Sequence, residues 1–384
     1  MSPEPHRRRI LLVTNDLGPR AGGIETFILG LLDYIDGSQC VIYTSSQEDS
    51  ADFDKKLSER TGVVVIRDKS KVLLPSPRVN REVSAVLACY GCESVWFGAA
   101  MPLAWMSHRL RKRGAKNIVA ITHGHEVWWA TLPPFSWIFH QATKSLDTLT
   151  YLGDFTKSAI SPIVDSHCTM VQIAPGIPIN HFTPGAKSPE LLARFDLADK
   201  KVIVCVGRLV HRKGQDKLIE ALPQVIRNHP DAVLLLVGIG PREEHCRKLV
   251  ASLGLTNHVR FVGRVAYAEL PEYFRLGDIF AMPSRSRLGG LEVEGLGIVY
   301  LEASACAIPV LAGASGGAPD AVLNGETGEV VNGESVVAIS NALNQMLSDM
   351  PRLRAMGQAG RAWAESAWSW EIWGKKFAAL LSMK

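Results

Sequence analysis

Short apolar runs alternate with amphipathic stretches along the whole chain, and this alternation most narrows what it can fold into. Runs at Ile10–Thr14, Val41–Thr44, Val63–Ile66, Ser94–Phe97, Ile118–Thr122 and Leu149–Leu152 form one set. Val202–Val206, Val233–Val237, Val259–Val262, Ile279–Met282, Val310–Ala312 and Glu329–Val331 form another. Runs this short and this apolar suit strands buried on both faces, and helical patterns between them mark βαβ units with parallel sheets. Two sets of about six predict an α/β protein of two doubly wound, Rossmann-like domains facing a cleft. A length of 384 residues accommodates two such domains.

The boundary is expected in Ala174-Pro-Gly-Ile-Pro-Ile-Asn-His-Phe-Thr-Pro184, whose prolines and glycine disfavour helix and strand. The expected parts are residues 1–180, residues 181–365 and a terminal helix over 366–384 that packs back on the first domain. That last segment has helical periodicity and carries Trp368, Trp370 and Trp373.

Bulk properties exclude several classes. A net charge of +4 is too small to imply nucleic-acid binding. No apolar run approaches the ~20 residues of a membrane span. Arg7-Arg-Arg-Ile-Leu-Leu-Val-Thr14 mimics a signal peptide, but its apolar part is short and ends in polar Asn15-Asp16, so it reads as a first buried strand. The seven cysteines sit in apolar segments, as expected of reduced thiols in a cytoplasmic protein. Cys89-Tyr-Gly-Cys92 has no second pair at zinc spacing and reads as a helix-to-strand turn. The basic run His108-Arg-Leu-Arg-Lys-Arg-Gly-Ala-Lys116 reads first as a solvated helix end. Its alternative is peripheral contact with an anionic membrane, on the inner face of the cell membrane. Oligomeric state is not legible.

In doubly wound sheets ligands bind at the carboxyl ends of strands, so the residues following each strand matter most. After the first comes a loop holding Gly22-Gly23, where a helix start lets a ligand approach the backbone. It is not GxGxxG, and no acidic residue ends the second strand, which counts against a nicotinamide enzyme. After the fifth comes Thr122-His-Gly-His-Glu126. His123 and His125 would lie on opposite faces of a continued strand, so metal is not expected, and His123 is placed to bond a substrate. After the seventh comes Val206-Gly-Arg-Leu-Val-His-Arg-Lys-Gly214. Arg208 and Lys213 suit a diphosphate, and Lys213 at a helix start, unfavourable by dipole logic, calls for an anion.

Val237-Gly-Ile-Gly-Pro241 reads as a tight turn, Ser315-Gly-Gly-Ala-Pro-Asp320 as a loop framing the cleft, and Asp52-Phe-Asp54 as a solvated helix start. Val293-Glu-Gly-Leu-Gly-Ile-Val-Tyr-Leu-Glu302 sets Glu294 and Glu302 eight positions apart, with a helix expected to start near Gly297. Carboxylates suit sugar hydroxyls, and a glycine turn into a helix start suits a phosphate. Together they describe a nucleotide-sugar site.

In this order, Gly22-Gly23, His123, Arg208 with Lys213, and Glu294-x7-Glu302 resemble glycosyltransferase family 4, retaining enzymes of the GT-B fold. Thr122–Val127, Arg208–Asp216, Val293–Glu302, Ser315–Pro319 and Trp368-Ser-Trp-Glu371 further resemble actinobacterial mannosyltransferases acting on phosphatidylinositol mannosides. The resemblance implies GDP-mannose as donor, a glycolipid acceptor, an α-1,6 linkage, and no metal or other cofactor. It implies that Arg208 and Lys213 hold the departing phosphate, Glu302 the ribose and Glu294 the sugar. Backbone at Gly297, Ile298 and Val299 would complete the cradle, and Gly263, Arg264 and Val265 would face guanine. His123 would touch the transferred sugar, with Gly22 and Gly23 close to the phosphates. His211 and Gly176-Ile-Pro178 depart from the family pattern beside these contacts. Another family-4 enzyme with a different acceptor or a UDP-sugar donor, an epimerase or phosphorylase on the same fold, and a non-catalytic binding protein are the alternatives.

Overall fold

The computed structural model describes residues 9–20, 22–290 and 292–382. Arg7 and Arg8 of the basic run and Leu291 of the glycine-rich stretch lie outside them. The chain forms two compact units, Met1–Gly176 with Trp370–Lys384, and Ile177–Ser369. The divisions fall a few residues from the expected 180/181 and 365/366.

The first unit holds β1 (Arg9–Thr14), β2 (Cys40–Thr44), β3 (Val64–Arg67), β4 (Cys92–Phe97), β5 (Asn117–Ala120), β6 (Thr148–Tyr151) and β7 (Thr169–Gln172). Their order is β3-β2-β1-β4-β5-β6-β7, with every pair parallel. This corrects the expectation of six strands. The seventh is an edge strand, Thr-Met-Val-Gln, with no residue fully buried and polar residues at both ends, so it lacks an apolar run. Interior strands bear that signature: Leu11, Leu12, Val13, Val95, Trp96 and Phe97 are fully enclosed.

The last helix, Trp370–Ser382, belongs to this unit. Phe377 is fully buried with its ring edge-on to Trp96, centroids 4.8 Å apart. Trp370 lies over the helix Gly23–Leu32, 6.2 Å from the Phe27 ring. Ser94 and Asn117 donate to the final carbonyls, Ser94 Oγ to Leu381 O at 2.7 Å and Asn117 Nδ2 to Leu380 O at 2.8 Å. Those carbonyls lack intrahelical partners, so buried side chains from two strands satisfy them.

The second unit holds β8 (Lys201–Val206), β9 (Ala232–Val237), β10 (Val259–Gly263), β11 (Ile279–Met282), β12 (Val310–Gly313) and β13 (Gly328–Val331). Their order is β10-β9-β8-β11-β12-β13, again all parallel. In each sheet strand order reverses once, between β1 and β4 and between β8 and β11. Such reversals open a crevice beyond the carboxyl ends of the flanking strands. All seven cysteines are free. No described helix is long and apolar enough to cross a membrane.

Candidate nucleotide-sugar site

The loop after β8 lies at the reversal in the second sheet. It runs through Gly207 and Arg208 into a 3-10 turn, His211–Lys213, before the helix Gln215–Asn228. Gly214 joins them with φ 74°, and a Cβ there would sit 2.1 Å from the Pro283 carbonyl. Only glycine lets the turn close against the end of β11. Lys213 is thereby buried, while Arg208 remains exposed.

Lys213 has an anion from within the protein. Its Nζ lies 3.0 Å from Glu294 Oε2, and Arg212 Nη1 donates to the same oxygen. The dipole argument for an anion beside Lys213 is thus met first by Glu294, distant in sequence. Arg208 forms no ion pair among the described residues.

Glu294 is also held by its backbone. Its N–H donates to Ser315 Oγ at 3.4 Å, and its carbonyl accepts from Gly317 N at 2.8 Å. Gly316 has φ 54°, and a Cβ there would meet the Glu294 carbonyl at 2.2 Å. The Ser315-Gly-Gly loop is therefore the seat of Glu294. Gly297, in the left-handed region, caps the helix Ile298–Ala305. The first-turn N–H groups of Ile298 and Val299 have no carbonyl to reach within that helix.

Glu302 sits on the same helix. Only part of its surface is open, and low-dielectric matter surrounds most of the carboxylate. Burial raises its pKa from 4.5 to about 7, against an opposing pull from the Lys213 charge. No described residue hydrogen-bonds this carboxylate. Tyr267 is close enough that burial, then the Glu302 charge, pushes its hydroxyl up to about 12.

Beyond the ends of β8, β9 and β10 lies a cavity of 540 Å³, lined by Arg208, Ile239, Pro241, Arg264, Val265 and Leu270 among others. It brings Arg208 together with Arg264 and Val265, while Gly263 closes β10 by accepting from Gly238 N at 2.8 Å. Val237-Gly-Ile-Gly-Pro241 is a tight turn, and it also forms a wall of this cavity. Its backbone packs so closely on the β8 loop that a Cβ at Gly238 would meet the Gly207 carbonyl at 2.2 Å.

In the first unit, β5 ends at Ala120, earlier than expected, and the chain turns at Gly124 with φ 92°. His123 and His125 therefore do not take opposite faces; their rings stack at 6.1 Å and 5°. His123 Nε2 lies 2.6 Å from the Gly98 carbonyl and must donate to it. Burial lowers the His123 pKa below 6.5. The neutral ring so fixed presents bare Nδ1 as an acceptor. Glu126, fully buried, fixes the loop by accepting the His123 N–H at 2.8 Å.

The Gly22 N–H donates to Glu25 Oε2 at 3.0 Å in a capping arrangement. The Gly23 N–H stays at the open helix start. A Cβ at either glycine would touch nothing within 4 Å, so no internal contact demands glycine there. Asp54 is not solvated: both its oxygens take bonds from Arg67 at 2.7 Å. Among the described residues no cluster of three or more His, Cys, Asp or Glu is placed to hold a metal.

Two doubly wound units with parallel sheets have the architecture of the GT-B fold. Residues 190–363 match the family model described as glycosyl transferases group 1, and the chain belongs to that family. It is 41% identical over 375 residues, 97% of this chain and 98% of the relative, to the GDP-mannose-dependent alpha-(1-6)-phosphatidylinositol monomannoside mannosyltransferase of Mycolicibacterium smegmatis. It is also 41% identical, over 97% and 98% of the two chains, to a Corynebacterium glutamicum enzyme named for a monoacylated form of that acceptor. Among solved structures, Anabaena HepE in complex with UDP shares the fold at TM-score 0.80 and 19% identity, covering 97% of this chain and 99% of that one. Sucrose-phosphate synthase from Thermosynechococcus elongatus does so at 0.74 and 22%, covering 97% and 98%.

Proposed function

We propose that the protein transfers a mannosyl group from GDP-mannose to a phosphatidylinositol monomannoside-type lipid, forming an α-1,6 linkage with retention. The observation that carries this reading is the grouping of Arg208, Lys213, Glu294 and Glu302 at the strand reversal of the second sheet. It occurs in a chain similar from end to end to enzymes named for that reaction.

Breaking the bond from sugar to phosphate leaves negative charge on the diphosphate and positive charge on the sugar. Arg208 and Lys213 are assigned to the diphosphate, where cations beside the leaving oxygens stabilise the developing charge. The N–H groups of Gly297, Ile298 and Val299 add to that cradle. Glu294 takes sugar hydroxyls and Glu302 the ribose. Gly263, Arg264 and Val265 take the base, Arg264 and Val265 from the cavity they share with Arg208. His123 accepts a sugar hydroxyl at Nδ1, and Gly22 and Gly23 leave room for the phosphates. Two cations on the leaving group remove the need for a metal. With no carboxylate assigned as nucleophile, the leaving phosphate oxygen takes the acceptor proton as the new bond forms on the same face.

The acceptor is assigned to the first unit. Peripheral contact with an anionic membrane is part of the proposal. It is supported by exposed Trp105 and Trp137, 6.2 Å apart, and by exposed Arg109 and Lys112 on the helix that follows Trp105, with exposed Arg113 at its end. The test is purified protein with GDP-mannose and phosphatidylinositol monomannoside, read by mass spectrometry. A product heavier by one hexose supports the proposal. No product, or equal use of a UDP-sugar, refutes it.

A further inference from the structure

Arg212 and Lys213 meet on one oxygen of Glu294, and this doubling has a use. Glu294 Oε2 takes both cations, while no described residue hydrogen-bonds Oε1. Glu294 is buried, with a side chain only 10% exposed. A diphosphate draws Lys213 toward itself, since the ammonium rides on a flexible stem. A buried carboxylate that loses its sole cation is strongly destabilised. Arg212 prevents that loss, because it is tied down independently of any ligand. Its carbonyl accepts from Arg285 N at 2.8 Å, and Arg285, itself buried, bonds Asp216 at 2.7 Å. Its Nε faces Glu292 at 4.0 Å, and Arg287 fixes Glu292 at 2.8 Å.

We propose that Arg212 is a positioning residue: it holds and neutralises Glu294 while Lys213 turns to the diphosphate, leaving Oε1 aimed at a sugar hydroxyl. The inference rests on the assignment of Glu294 to the sugar and Lys213 to the phosphate. Its signature is a split between two ligands, since GDP lacks the sugar that Glu294 holds and GDP-mannose carries it.

The experiment measures Kd for GDP and for GDP-mannose by calorimetry on the full chain and on Arg212→Met, Arg212→Lys and Lys213→Met, each with its thermal melt. Arg212→Met is expected to leave GDP binding within about twofold and to weaken GDP-mannose about tenfold, the scale of one hydrogen bond to a charged group. Arg212→Lys should recover part of the loss, and Lys213→Met should weaken both ligands. Equal weakening of both ligands by Arg212→Met, or of neither, overturns the inference. If Arg212→Met does not fold, Arg212→Lys carries the test, and an unchanged GDP-mannose to GDP ratio overturns it. A wild-type protein that binds neither ligand overturns the functional proposal itself.

Discussion

Glu302 should make donor binding depend on pH near neutrality. Its pKa of about 7 arises because burial disfavours the charge more than Lys213 restores it. A ribose hydroxyl donates to the ionised carboxylate, so only that form is competent. The apparent Kd then scales with the inverse of the competent fraction. With a pKa of about 7, that fraction is about one tenth at pH 6 and about nine tenths at pH 8, a roughly tenfold difference in Kd. GDP-mannose itself does not titrate in this window, since each phosphate carries a single strongly acidic proton. Calorimetry at pH 6, 7 and 8, in buffers of different ionisation enthalpy, reads both Kd and protons released, about half a proton at pH 7. Glu302→Gln should bind more weakly at pH 8 and show little change between pH 6 and 8. A wild-type Kd that is flat across this range, or a tenfold change that survives in Glu302→Gln, refutes the reasoning.

The same raised pKa bears on stability: the folded protein keeps a proton that the unfolded chain loses between pH 4.5 and about 7. Stability from this group is full below pH 4.5 and declines as pH rises through 7, by up to about 3 kcal/mol. Denaturation midpoints of wild type should fall over that window relative to Glu302→Gln. Lys213→Ala or Arg208→Ala should each lower kcat by about 10²–10³ with folding preserved, and near-normal turnover would remove that cation from the mechanism. Phe377→Ala should cost about 3–5 kcal/mol in chemical denaturation, because the ring is fully buried against Trp96. Binding to anionic vesicles should weaken as salt rises, and salt-insensitive or absent binding would remove the membrane contact.

The sheets were legible because buried parallel strands must be apolar on both faces, and Val202–Val206 or Val233–Val237 can be little else. β7 was not, because Thr169–Gln172 is polar at both ends, whereas the opposite edge strand β3 keeps Val64, Val65 and Ile66. The site was legible where a residue type broke a local rule, as with Lys213 at a helix start. What satisfied that rule was hidden, since Glu294 is brought to Lys213 by the crossing from β8 to β11. Arg212 gave no separate signal, being one basic residue beside another. Glu126 was visible as a letter, but its role in fixing the His123 loop depends on a turn at Gly124 that periodicity does not report. At Gly22 the sequence did not report that the N–H is taken by Glu25, while the space beside the glycine stays open.

The claim beneath all of this is that two cations of the second unit grip a diphosphate while Glu294 and Glu302 hold the sugar and the ribose. A crystal of the protein soaked with GDP-mannose measures it directly. The β-phosphate is expected within hydrogen-bond distance of Arg208 and Lys213, with Lys213 drawn off Glu294 and Arg212 still on it. Density for the diphosphate away from both cations would contradict it.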